Sequence, residues 1–333
     1  MRIAIVGCGL IGNKRAAALT DEHQLVACAD VELGRAQALA GRYAGCAAEQ
    51  DWRKVLRDDV DAVIVSTTND MLAPVTLAAI EAGKHVLVEK PAARSAAELV
   101  PVIAAQKSAG VIVKVGFNLR FHPALVRTRQ LIDDGAIGPL MYLRGRYGHG
   151  GRLGMEKEWR GNPEIAGGGE MLDQGIHLVD LARWFLGDFS DVTGQVARFF
   201  WNWPVEDNGF ALLKTAAGQI AWLHASCTEW KNIFSLEIFG QTGKLQIDGL
   251  GGSYGPERLT HYQMLPQMGP PNVNEYSFPP EDLSWREEFI HFAQCIREQR
   301  PPLSTLSDAQ AAVAIVETLY RNSVGHARTS VRG

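Results

Sequence analysis

The 333-residue chain carries a formal charge of -4, is 46% hydrophobic and holds five cysteines. That length predicts about two domains, and the apolar share excludes disordered and fibrous classes. Acidic and basic residues are scattered, so no basic patch for nucleic acid or anionic membrane stands out.

The sequence runs at once into Met1-Arg2-Ile3-Ala4-Ile5-Val6-Gly7, with neither a leader pattern nor an apolar run approaching the roughly 20 residues of a membrane span, and a cytoplasmic protein is expected. Cys8, Cys28, Cys46, Cys227 and Cys295 lack a C-x-x-C pair, which predicts free thiols and no structural zinc.

Strand candidates at Ile3 to Val6, Leu25 to Ala29, Cys46 to Ala48, Ala62 to Ser66, His85 to Val88 and Val111 to Val115 are nearly all apolar. Between them, Lys14 to Leu19, Gly34 to Tyr43, Leu72 to Ala82 and Ala96 to Ala109 have helix-forming composition. Repeated β-α units of this kind predict an α/β domain, a doubly wound Rossmann fold with a parallel sheet, over residues 1–120.

Residues 121–333 are expected to form a second, α+β domain for substrate binding and oligomerisation. A helix is expected over Met171 to Leu186, then a large, open-faced, mostly antiparallel sheet from Asp191 to Tyr276. Its expected segments include Phe199 to Trp203, Gln219 to Leu223 and Phe234 to Ile238, with a tight connection between Gly240 and Gly243. So many aromatic side chains suggest that a second subunit covers one face. Helices at Asp282 to Gln299 and Ser307 to Ser323 close the chain, the first of them expected to return toward the nucleotide domain.

Gly7-Cys8-Gly9-Leu10-Ile11-Gly12 fits G-x-G-x-x-G between a strand and a helix, and Asp30 follows eighteen residues after Gly12 at the end of the next strand. The first glycine permits the turn, the second admits a pyrophosphate and the third lets helix and strand pack. Asp30 suits the ribose hydroxyls of NAD, while Arg35 nearby leaves NADP open. Ser66, Thr67, Asn69, Glu89 and Lys90 complete the expected cofactor set.

Val88-Glu89-Lys90-Pro91 puts a lysine at the carboxyl edge of the sheet. In Gly167-Gly168-Gly169-Glu170-Met171-Leu172-Asp173-Gln174-Gly175-Ile176-His177, the Asp and His stand four apart and share a helix face. Glu170, Asp173 and His177 would also permit a metal, but Lys90 opposes a divalent ion and none is expected. Tyr147 to Gly154 is glycine-rich enough for a lid. Trp159 and Arg160 can support a sugar face and pair with a phosphate or carboxylate, or simply pack as structure and surface. Arg120 joins them as a substrate candidate; His122, His149 and His224 read as structural.

The chain resembles the glucose-fructose oxidoreductase, inositol dehydrogenase and rhizopine-catabolism (Gfo/Idh/MocA) family. The resemblance is carried in order by Gly7 to Gly12, Ala78 to Pro91, Gly116-Phe117-Asn118-Leu119-Arg120-Phe121-His122-Pro123 and Asp173 to His177. It implies a catalytic Lys90, Asp173 and His177, Asn118 near the nicotinamide, a homodimer or homotetramer built through the sheet, and a sugar, cyclitol or nucleotide-linked sugar as substrate. One departure is Thr67-Thr68-Asn69-Asp70-Met71-Leu72, where many relatives have a proline after Thr and a later histidine.

A base must take the hydroxyl proton as hydride leaves a carbinol carbon. His177 is the expected acid/base, Lys90 the oxyanion group and Asp173 the orienting acid, with the Lys and His roles exchangeable. The alternatives are a redox-neutral enzyme that retains NAD, of glycosidase type, and an NAD-binding regulator.

Overall fold

The computed structural model describes residues 1–324, so the end of the expected second domain, 325–333, lies outside the described residues. The chain divides into two compact units.

The first unit comprises Met1–Asn118, Glu164–Gly167 and Trp285–Val313. Its strands are β1 (Arg2–Val6), β2 (Gln24–Ala29), β3 (Ala47–Glu49), β4 (Ala62–Val65), β5 (His85–Glu89) and β6 (Val113–Gly116). All run parallel, in the order β3-β2-β1-β4-β5-β6, so the Rossmann expectation holds. The apolar runs are buried because helices flank the sheet: α1 (Leu10–Ala17), α2 (Leu33–Ala40), α3 (Asn69–Glu81) and α4 (Leu99–Ala109). Phe289, Phe292 and Cys295 of α8 (Ser284–Glu298) enter the same core as Ile3, Leu25 and Ile64.

The second unit comprises Leu119–Pro163, Gly168–Ser284 and the chain from Ala314. It holds α5 (Pro123–Asp133), the strand β7 (Leu140–Gly148) and α7 (Ile176–Leu186); the single turn α6 (Pro163–Ala166) precedes α7 in the chain. The remaining strands are β8 (Phe189–Ala197), β9 (Asn208–Thr215), β10 (Ile220–Ser226), β11 (Ile233–Gly240), β12 (Gly243–Asp248), β13 (Arg258–Gln263) and β14 (Asn272–Ser277). They form one sheet in the order β14-β13-β12-β11-β7-β10-β9-β8. Only β7 and β10 run parallel to each other. Gly240 pairs with Gly243 across the expected tight turn. The last helix, α9 (Leu306–Val324), spans both ranges.

Three local expectations need correction. The central strand β7 lies before the point where the sheet was expected to begin, and Tyr147 and Gly148 end it rather than open a lid. Its alternation was hidden because Arg144 and Arg146 occupy the face opposite buried Leu143 and Tyr147. Phe199 to Trp203 is a loop, not a strand: Asp207 accepts the amides of Phe199, Phe200 and Trp201 at 2.9, 2.8 and 2.9 Å, which removes them from any ladder. Finally, Met171–Gly175 is a π-turn preceding α7, where a continuous α-helix was expected.

Candidate active site

The glycine loop of the first unit is shaped by steric necessity. Gly7 sits at φ +93°, and a methyl there would lie 2.4 Å from the Ser66 carbonyl oxygen; one at Gly12 would lie 2.0 Å from that of Gly7. At Gly9 nothing lies within 4 Å of an added methyl, so the loop is open on the side where a pyrophosphate approaches the first turn of α1. Leu10 and Ile11 form that turn, with Leu10 exposed. These residues fit a dinucleotide cofactor.

Asp30 ends the next strand and accepts the Cys8 amide at 2.8 Å and the Glu32 amide at 2.9 Å, so it shapes the loop as well as facing its edge. Arg35 pairs with Glu32 at 2.9 Å on the surface. Ser66 Oγ donates to the Gly7 carbonyl at 2.8 Å and braces the loop, while Thr67 Oγ1 donates to the Thr68 carbonyl. Asn69 is buried, its amide donating to the Ala166 carbonyl at 2.8 Å.

Lys90 follows the carboxyl end of β5 and is joined to Pro91 by a cis peptide. Its neighbour Glu89 belongs to a buried ion network instead of a ligand surface. Arg15 Nε donates to Glu89 at 2.6 Å and Arg15 NH1 to Glu288 at 2.7 Å, while Lys114 stands 3.2 Å from Glu288. Burial raises the Glu89 carboxyl against the opposing pull of Arg15. Asn118 is buried just beyond β6.

In the second unit Asp173 lies in the π-turn, a distortion that frequently marks functional positions. Arg160 Nε donates to Asp173 Oδ2 at 2.9 Å, and its guanidinium covers the Trp159 ring at 4.5 Å. His177, on the first turn of α7, is buried and meets the edge of Tyr147 with ring centres 5.9 Å apart. Arg120 does not join this group. It forms a buried bidentate pair with Asp180, at 2.8 and 2.6 Å, which commits its guanidinium to a structural partner.

Sequence reasoning missed Glu206. Its carboxylate accepts the amides of Gly169 and Met171 at 2.9 and 3.0 Å and the Tyr320 hydroxyl at 2.7 Å, pinning the entrance of the π-turn. Burial pushes its pKa up. The available signal was the acidic pair Glu206-Asp207 closing an aromatic segment. His149 also proves closer to the site than expected: Nδ1 accepts the Gly151 amide at 3.0 Å and Nε2 faces Glu170 at 3.6 Å. Burial works against its charged form, but Glu170 outweighs it and raises the pKa. His122 is held by Glu257 and His224 by Asn208.

Residues 1–117 match the oxidoreductase family's NAD-binding Rossmann fold, and residues 125–246 match the GFO/IDH/MocA C-terminal domain. A dTDP-3,4-didehydro-2,6-dideoxy-alpha-D-glucose 3-reductase of Streptomyces violaceoruber is 30% identical over 89% of this chain and 85% of its own length. The chain belongs to the Gfo/Idh/MocA oxidoreductase family. Another member, levoglucosan dehydrogenase of Pseudarthrobacter phenanthrenivorans, is 34% identical over 50% of this chain, which spans 44% of that relative's length. Other curated members are likewise matched over about half their length. An aldose-aldose oxidoreductase of Caulobacter crescentus, solved with glycerol, superposes with TM-score 0.85 at 26% identity, covering 98% of both chains. The glycine loop is accordingly that of an NAD-binding domain in this family. Among the described residues, no helix is long and apolar enough to cross a membrane.

Proposed function

We propose that the chain is an NAD-dependent dehydrogenase or reductase acting at a hydroxyl-bearing carbon of a sugar, cyclitol or nucleotide-linked sugar. The observation that carries this reading is the constrained but open Gly7–Gly12 loop, combined with Asp173 in the π-turn and His177 on the first turn of the helix that follows it. The names of the relatives, a levoglucosan dehydrogenase and a dTDP-sugar reductase, support the substrate class.

Bound NAD supplies the hydride acceptor. His177 takes the hydroxyl proton, Lys90 donates a hydrogen bond to the same oxygen as negative charge develops, and Asp173, held by Arg160, keeps the cationic partner oriented. The Lys and His roles are exchangeable on chemical grounds. Trp159 and Arg160 stand beside Asp173 as members of the substrate wall. Gly9, Leu10 and Ile11 take the pyrophosphate at the start of α1, and Asp30 takes the ribose hydroxyls.

A homodimer or homotetramer through the sheet belongs to the same reading. The side opposite α7 exposes Tyr142, Leu212, Ile220 and Trp222 together, an apolar surface of the kind that a second subunit covers.

The test mixes the protein with NAD or NADP and a panel of sugars, sugar acids, inositols and nucleotide sugars, then with NADH and keto-sugars. Absorbance of reduced nicotinamide that grows with one class establishes the activity. NADH binding with a silent panel in both directions overturns it in favour of a redox-neutral enzyme or a regulator.

A further inference from the structure

Lys90 stands in a tight turn, closed by the Ala92 amide, which donates to the Glu89 carbonyl at 2.9 Å. Ala92 holds φ +71°, a left-handed backbone that an L-residue adopts at a cost, and both it and Ala93 are buried. A turn strained in this way persists only when its surroundings over-determine it.

The determining contacts lie on the Glu89 side, within the first unit. Arg15 brings Nε and NH2 to the same Glu89 oxygen at 2.6 and 2.5 Å, and NH1 to Glu288 at 2.7 Å. The Trp285 ring covers the guanidinium at 4.5 Å. Gly116 leaves the pair its room: an added methyl there would lie 2.6 Å from Arg15 NH2 and 3.2 Å from both Glu89 oxygens. The planar fork of an arginine fixes direction as well as distance. Successive residues leave a strand on opposite sides, so anchoring the Glu89 side chain against Arg15 fixes the side from which Lys90 leaves the sheet. The network runs on through Glu288 to Lys114, 3.2 Å away, and to Ser304, which receives Lys114 at 2.5 Å and donates to the Val115 carbonyl at 2.6 Å. Glu89 is its member that adjoins a residue with a proposed chemical role.

We propose that Glu89, gripped by Arg15, is a positioning residue for Lys90: the pair holds the strained turn that presents the lysine, and Glu89 acts on the reaction through Lys90. The proposal rests on the role given to Lys90 above and adds the residues that set its place.

The first measurement does not depend on turnover. Reductive methylation with isotope-labelled formaldehyde gives each lysine a dimethyl signal in NMR spectra, and Lys90→Ala identifies that of Lys90. In the NADH-loaded parent this signal is expected to stand apart from those of surface lysines. In Glu89→Gln it should move to their position, while NADH affinity stays within about threefold. A Lys90 signal that Glu89→Gln leaves in place overturns the proposal whatever the activity.

The second measurement is kinetic, with NAD and levoglucosan, D-glucose or myo-inositol. Glu89→Gln is expected to lower kcat at least about tenfold, since small misplacements of a reacting group are costly. KM for NAD and for the ring compound should stay within about threefold, and the deuterium isotope effect on kcat should rise. Ser304→Ala, at the far end of the network, should lower the melting temperature and leave both kcat and the Lys90 signal unchanged. An equal fall of kcat in Ser304→Ala at the same loss of stability shows a general softening of the domain and overturns the proposal. Should Glu89→Gln fail to fold, Arg15→Lys, which keeps the charge and loses the fork, carries the same expectations. Full turnover by Lys90→Ala removes the role given to Lys90 and the proposal with it. An inactive Lys90→Ala beside a fully active Glu89→Gln overturns the positioning alone. With a silent panel, a displaced Lys90 signal upholds the anchor while the dehydrogenase reading falls.

Discussion

The Tyr320 hydroxyl donates to Glu206 Oε1 at 2.7 Å, so a residue of the last described helix holds the carboxylate that receives the amides of Gly169 and Met171. Three donors converge on one buried acid. Glu206→Ala leaves them without it and should cost about 2–4 kcal/mol, whereas Tyr320→Phe removes one bond and should cost about 1 kcal/mol. Denaturant unfolding measures both; an alanine variant as stable as its parent would show that the π-turn does not depend on this anchor.

Asp207 gives the pH dependence. Burial opposes its charge, but the amides of Phe199 and Phe200, the Asn208 side chain and the Trp201 amide outweigh that and hold its pKa below the ordinary 3.8. A depressed carboxyl stabilises the fold above its unfolded value and loses that contribution as pH falls through the folded one. Asp207→Asn should therefore destabilise by about 1–3 kcal/mol at neutral pH. The gap to the parent should narrow below pH 3.8; an equal gap at neutral and acid pH contradicts the assignment.

The four buried charges Arg15, Glu89, Glu288 and Lys114 tie α8 to α1 and to β5 and β6, the strands that lead to Lys90 and Asn118. Removing one carboxylate strands its cations in the core. Glu288→Ala should cost about 3–5 kcal/mol. Calorimetric melting checks this, and a loss within the range of a surface pair would mean that water reaches the network.

At the glycine loop, Gly9→Ala introduces a methyl that meets nothing in the protein, at a backbone of φ -71° that alanine accepts. Stability should change by less than about 1 kcal/mol, while NADH affinity falls at least about tenfold because the methyl takes the space of the pyrophosphate. Undiminished NADH binding by a folded variant would place the phosphates elsewhere.

For the proposed chemistry, Lys90→Ala and His177→Ala should each abolish turnover and leave NADH affinity within about threefold, since a lost acid/base group affects the reaction more than the ground state. Full turnover by both variants refutes the roles given to them. For the proposed assembly, light scattering should give the parent a multiple of one chain's mass, and Trp222→Glu should reduce it; a parent of single-chain mass rejects the shared sheet.

The sequence determined the Rossmann half almost strand by strand, because strands buried on both faces must be apolar runs and because Gly7, Gly9 and Gly12 report backbone geometry directly. It also pointed to Asp173 and His177 as a pair through their four-residue spacing, although the turn that carries Asp173 is a π-turn and not the α-helix that spacing assumed. Tertiary structure alone decided that β7 is central, since a strand bearing Arg144 and Arg146 on its open face lacks the hydrophobic signature of a core strand. It decided too that Arg120 is buried against Asp180, that Arg160 holds Asp173, and that Glu206 anchors the π-turn. Those are pairings of charges and donors separated by 60, 13 and 37 residues. No local propensity or period encodes a partner at such distances; it is chosen when the packed chain must satisfy every buried polar group.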